Sequence, residues 1–149
     1  MRTRPVLSSL ELSILGAVRQ AARSGYAIRK SLDVSPGAIY PALRRLAAGG
    51  LLEEKEGYHL TAEGRRALKS ALERPGIQEV RRDPDGVAMR ADFLTGSGAA
   101  AFLAEYARLA AVCEDEWKSR EGLAARYQAA IYAARSRWAS RAAATLRTT

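Results

Sequence analysis

Apolar positions follow a helical rhythm at the start of this chain, alternate briefly near its middle, and return to a helical rhythm over the last third. Leu10, Ile14, Ala17 and Val18 mark a first helix. Ser8-Ser9-Leu10-Glu11 reads as its capping box, with Leu7 placed to staple the entry. A second short helix is expected within Ala22 to Asp33, around Tyr26, Ile28 and Leu32. After a turn of a few residues, the run SPGAIYPALRRLAAGGLL from Ser35 to Leu52 predicts a third helix with a strong start and a strong stop. Ser35 serves as N-cap, Pro36 takes the first helical position where its missing N–H costs nothing, and Gly49-Gly50 end the helix. Ile39, Ala42, Leu43 and Leu46 form its apolar stripe. Gly37, Pro41, Arg44 and Ala48 fall opposite, with Tyr40 and Arg45 on the flanks. Pro41 cannot donate to the Gly37 carbonyl, so a kink or an irregular first turn is expected there.

Leu51 to Lys55 then reads as a strand, Glu56-Gly57 as a two-residue turn, and Tyr58-His59-Leu60 as the returning strand. Thr61 N-caps a fourth helix whose Leu68 and Leu72 face inward. This order predicts a winged helix-turn-helix domain over residues 1–75. From Arg74 to Gly98 the pattern loosens around Pro75-Gly76 and Asp83-Pro84-Asp85-Gly86, leaving a short helix within Asp85 to Leu94. Two long helices follow, Ala99 to about Arg120 and Leu123 to about Leu146, divided near Gly122. The first carries Phe102, Tyr106, Leu109, Cys113 and Trp117 on one stripe; the second carries Leu123, Tyr127, Ile131, Ala134 and Trp138. One small winged domain cannot bury both stripes, so the helices are expected to need each other and a second chain. Residues 76–149 therefore read as a helical dimerisation domain with these aromatic and aliphatic residues at its interface. A helical hairpin packed on the first domain of the same chain is the alternative. The fold class is mainly α, a winged helix-turn-helix domain followed by a long-helix dimerisation domain.

Charge sharpens the picture. The net charge is +8, and residues 1–75 carry 13 basic against 7 acidic side chains, whereas the remainder carries 11 against 9. The excess lies with the third helix, which favours a polyanionic partner. Arg44 and Arg45 on its outer side suit either bidentate contact with guanine or a phosphate clamp, the chemistry of a helix laid in the major groove of DNA. Cys113 is the only cysteine and His59 the only histidine, so neither an internal disulfide nor a Cys- or His-pair metal site is expected. No nucleophile–base pair or phosphate-cradling glycine loop stands out, so neither an enzyme nor a cofactor is indicated. No run of about 18 apolar residues exists, and the N-terminus lacks an apolar signal core, so no membrane span and a cytoplasmic location are expected.

The segment from Leu7 to Leu68 resembles the winged-helix domain of the PadR-like transcriptional regulators. The resemblance rests on Leu10 to Leu15, Gly25-Tyr26-Ala27-Ile28, Ser35 to Leu46, Gly50-Leu51-Leu52 and Tyr58 to Arg65, which occur in family order. Arg126-Tyr127 and Trp138 resemble, more loosely, the helical C-terminal domain of longer members. The resemblance implies a sequence-specific DNA-binding regulator, a repressor held as a homodimer on a palindromic operator, with input from a small-molecule or other signal. The chain departs from the family pattern at Ser24, where histidine is common, in its short connection before the third helix, and in its wing. That wing carries Glu53, Glu54 and Glu56 against Lys55, so the helices are expected to carry more of the DNA contact than is usual.

The residues expected to meet double-stranded DNA are Tyr26, Ser35, Gly37, Tyr40, Arg44, Arg45 and Lys55, with Lys30, Arg65 and Arg66 as weaker phosphate contacts. Ser35 and Gly37 would offer hydroxyl and backbone N–H groups at a helix N-terminus. Arg2 and Arg4 could extend as an arm into the minor groove. Trp117, Trp138, Tyr106 and Tyr127 could line an effector pocket, against ordinary packing as the plainer role. The competing function is a winged helix used for protein association, with weak or no DNA binding.

Overall fold

The computed structural model describes residues 7–148, so Arg2 and Arg4 lie outside the described residues. The chain divides into two units, Met1–Ala71 and Leu72–Thr149. In the first, helices α1 (Ser9–Arg19), α2 (Gly25–Leu32) and α3 (Pro36–Ala48) precede strands β1 (Leu52–Glu54) and β2 (Tyr58–Leu60), and helix α4 (Ala62–Glu73) follows and crosses the division. The order is that of a winged helix-turn-helix.

Each helix start has a chemical cause. Ser8 accepts from the Glu11 N–H while Glu11 accepts from the Ser8 N–H, both at 3.2 Å, which completes the capping box. The second helix begins at Gly25, inside the expected segment, because Ser24 caps it by accepting from the Ala27 N–H at 3.0 Å. Ile39, Ala42, Leu43 and Leu46 of α3 are all buried, with Ile14, Leu15 and Val18 of α1 and Ile28 of α2 also in the core. The antiparallel strands pair Leu52 with Leu60, Glu53 with His59 and Glu54 with Tyr58. Glu56 and Gly57 both take left-handed φ, as a tight primed turn requires, but the ladder stops at Glu54–Tyr58. Lys55 thus belongs to the connection and not to the strand. The wing is tied back further along, where the Tyr58 N–H donates to the Arg23 carbonyl at 2.7 Å.

The second unit is wholly helical among the described residues: α5 (Ile77–Arg82), α6 (Pro84–Met89), a 3-10 turn (Arg90–Phe93), α7 (Gly96–Lys118) and α8 (Leu123–Arg147). The stretch that reads as loosened in sequence therefore holds three short helical elements. Asp83 caps α6 by accepting from the Gly86 N–H at 3.0 Å, and Tyr106 of α7 donates to the Pro84 carbonyl at 3.0 Å. The two long helices pair side by side, and Ser136 of α8 donates to the Ala107 carbonyl of α7 at 2.9 Å.

Within that pair α8 turns toward α7 a face other than its large apolar stripe. Its inward face is Ala125, Ala129, Tyr132, Ala139 and Ala143, all buried. Small side chains let helix axes approach closely, so alanines fill most of the contact, with Tyr132 as its one large side chain. Leu123, Tyr127 and Trp138 are 81%, 64% and 52% exposed, and Ile131 is half-buried. On α7 the expected stripe does face inward: Phe102, Tyr106, Leu109 and Cys113 are buried in the core of this one chain, and Trp117 packs at its edge.

Burial pushes the Tyr106 hydroxyl up from 10.0 to about 12, and burial likewise raises Tyr132. A folded-state value above the unfolded one means that this contribution is complete below the unfolded pKa and disappears as pH climbs through the folded one. The chain is therefore expected to lose stability between about pH 10 and 12. Thermal melts across that range should show a shallower decline for Tyr106→Phe. An identical decline in the variant would refute the assignment.

Candidate nucleic-acid interface

The outer side of α3 is built by elimination. With Ile39, Ala42, Leu43 and Leu46 committed to the core, helical geometry turns Gly37, Tyr40, Arg44 and Arg45 outward, and all four are exposed. Pro41, expected on the same side, is half-buried, and α3 continues through it without a break. Ser35 stands at the N-cap position and its carbonyl accepts from the Ala38 and Ile39 N–H groups at 3.1 Å. Its hydroxyl makes no capping bond, contrary to the expected role, and the residue is exposed. A helix start without a side-chain cap keeps first-turn amides available to another acceptor.

Tyr40 is 41% exposed and lies against the backbone of α2. A Cβ on Gly25 would meet the Tyr40 ring at 2.9 Å, so the glycine makes this close approach feasible. Tyr58 of the wing is pushed up by burial, then by the charges of Glu54 and Tyr40, and pulled down by Arg44. Arg44 of α3 and the wing carboxylate Glu54 thus both act on Tyr58. Glu53, Glu54, Lys55 and Glu56 are all exposed.

Charge pairing differs between the two units. In the first, Arg66–Glu63 is the one ion pair among the described residues. Arg23 is engaged by the Val18 carbonyl at 2.6 Å and Arg65 by the Leu60 carbonyl at 3.0 Å. Arg65 and Arg66 are nevertheless both exposed. In the second unit, Arg74, Arg81, Arg90, Arg108, Lys118 and Arg135 all meet carboxylates. Lys30, Arg44, Arg45 and Lys55 take part in none of these pairs.

No protein-family model matches the chain, and no curated protein matches it. Among solved structures it is similar to one described as the structure of the Vibrio cholerae virulence activator AphA, at 19% sequence identity and a TM-score of 0.40. That alignment covers 92% of this chain and 97% of the other. So distant a likeness transfers no residue role, and the site is read from its own geometry.

Among the described residues, no group of three or more potential metal ligands comes together, and no helix is long and apolar enough to cross a membrane. The four aromatic residues considered for an effector pocket are not brought together. Tyr106 is in the core, and Trp117 alone of the four lines a pair of open clefts, of about 750 and 650 Å³, at the end of the α7–α8 pair. Tyr26 is 59% exposed, and the guanidinium of Arg29 lies over its ring. Arg29 was not singled out by sequence; the signal available was its position one helical turn after Tyr26.

Proposed function

We propose that this chain is a PadR-like DNA-binding transcriptional regulator, a cytoplasmic repressor acting as a homodimer on a palindromic operator. The observation that carries the reading is the outer face of α3. Tyr40, Arg44 and Arg45 stand exposed on a helix anchored from behind, and neither arginine has a carboxylate partner among the described residues. In this reading Arg44 and Arg45 enter the major groove, while Ser35, the Gly37 N–H and Tyr26 reach phosphate oxygens. The wing carboxylates weaken attraction to the phosphate backbone, so discrimination depends on α3, and Lys55 is the wing's one attractive charge.

Self-association is assigned to the outer stripe of α8, Leu123, Tyr127, Ile131 and Trp138, with Trp117 at its margin. Phe102, Tyr106, Leu109 and Cys113 support that face from the core of their own chain. Large aromatic anchors dominate interface energetics, so Tyr127→Ala with Trp138→Ala should weaken a dimer by about 30-fold or more. Light scattering across a concentration series checks this, and a monomeric unaltered chain would refute it. A small-molecule or other signal would act by changing how the two α3 helices are spaced.

The function itself is tested by selecting duplexes from a random pool with the full chain. The expected product is an inverted repeat whose half-sites lie about one helical turn apart. Failure to enrich any sequence, with a folded protein and no retention of duplex at low salt, would favour the protein-association reading instead.

A further inference from the structure

We infer that α2 supplies a second anchor for the nucleic acid, a phosphate clamp made by Arg29 with its guanidinium carbon 5.4 Å from the centroid of the Tyr26 ring. The inference rests on the DNA-binding reading above. Tyr26 is mostly exposed, so the stacked pair adds little to the core. The pair also begins one residue from Gly25, whose backbone touches Tyr40 of α3, and so adjoins the face already assigned to DNA.

Arg29 has no carboxylate partner among the described residues. Asp33 stands four residues on, at the spacing that would form an ion pair in a continuing helix. The chain instead leaves the helix there, with Asp33 at φ 51° and its N–H donated to the Arg29 and Lys30 carbonyls. The guanidinium carbon sits over the Tyr26 ring and Arg29 is half-buried, so the ring restrains the side chain while part of its N–H-bearing edge stays open to a ligand. That edge matches a phosphate bidentately. The neighbouring Lys30 is exposed and adds a second positive charge. When a recognition helix occupies the major groove, the helix before it crosses the sugar–phosphate backbone, so the ligand is a phosphodiester and not a base edge.

The test is binding of mixed-sequence duplex DNA across a salt series by the full chain, Arg29→Ala, Arg29→Lys, Tyr26→Ala and the Arg29→Ala/Tyr26→Ala double variant. Arg29→Ala should weaken binding about five- to tenfold at low salt and reduce the slope of log affinity against log salt by about one, equally on any duplex. Arg29→Lys, which keeps the charge without the planar fork, should lose less. Tyr26→Ala should lose part of the same factor besides its own contact, so the double variant should lose less than the two single losses combined. Unchanged affinity and slope for Arg29→Ala, or fully additive losses, would overturn the stacked clamp alone. Absence of duplex binding by the unaltered chain would overturn both this inference and the reading it rests on.

Discussion

Gly64→Ala is expected to destabilise the winged unit by about 3 kcal/mol, the upper end of what overpacking costs. A Cβ at Gly64 would lie 2.1 Å from the Leu51 carbonyl oxygen and 3.1 Å from its carbon. The obstructing atoms are backbone, so no rotamer change relieves the clash. Nor can the backbone withdraw without breaking bonds that join β1 to α4. The Thr61 N–H donates to the Leu51 carbonyl at 3.2 Å, the Thr61 hydroxyl donates to the Gly50 carbonyl at 2.6 Å, and the Gly64 N–H donates to that hydroxyl at 2.9 Å. Gly64 is therefore required by a contact between elements rather than by its own dihedral angles. A shift of 1 kcal/mol moves the melting point of a unit this size by about 4–8 °C, so the loss is large on a thermal scan. A melting point within about 3 °C of the unaltered chain would show that the strand entry is not held this tightly.

Glu79→Ala should cost about 3 kcal/mol in the second unit, near the lower end for a broken buried ion pair. Arg90 is the one buried charged residue among those described, with its side chain 7% exposed. Its Nη1 donates to Glu79 Oε2 at 2.7 Å, and its Nε has no partner. Removing the carboxylate leaves a guanidinium in the protein interior without its counter-charge. The cost stays near the low end because Glu79 itself is partly open to solvent, and water can follow where it was. Arg90→Met should be much milder, since it removes the buried charge together with its need for a partner. Denaturant unfolding of both variants decides the matter. Equal losses for the two would mean that Arg90 acts through packing of its stem and not through its charge.

Much of the first unit was legible in the sequence because local chemistry decides it. The capping box at Ser8 and Glu11 appears bond for bond, and the α3 stripe buries the four residues that its spacing indicates. Elsewhere the deciding forces are tertiary. Helices as short as α5 and α6 have little stability alone and leave a weak local signature; the Tyr106 bond to Pro84 and the Arg81–Glu116 pair hold their region onto α7. On α8, hydrophobicity singles out Leu123, Tyr127 and Trp138, yet close helix packing selects the alanines between them. Ala21 takes a left-handed φ of 81° after α1 without a glycine to mark it, and α2 begins only at Gly25, after the Ser24 cap. At the candidate interface, Arg44 and Arg45 could be read from periodicity. The Arg29–Tyr26 stack needed side-chain geometry.

In the proposed reading, Glu53, Glu54 and Glu56 leave the wing little attraction for phosphate, and the weight of recognition shifts from wing to helix. The most direct measurement compares Arg44→Ala with the unaltered chain on the selected operator and on a shuffled duplex at one salt concentration. A base-reading arginine predicts a loss of about tenfold or more on the operator and a much smaller loss on the shuffled sequence. Equal losses on both would reduce Arg44 to a phosphate contact, and no loss on either would contradict the placement of α3 in the groove.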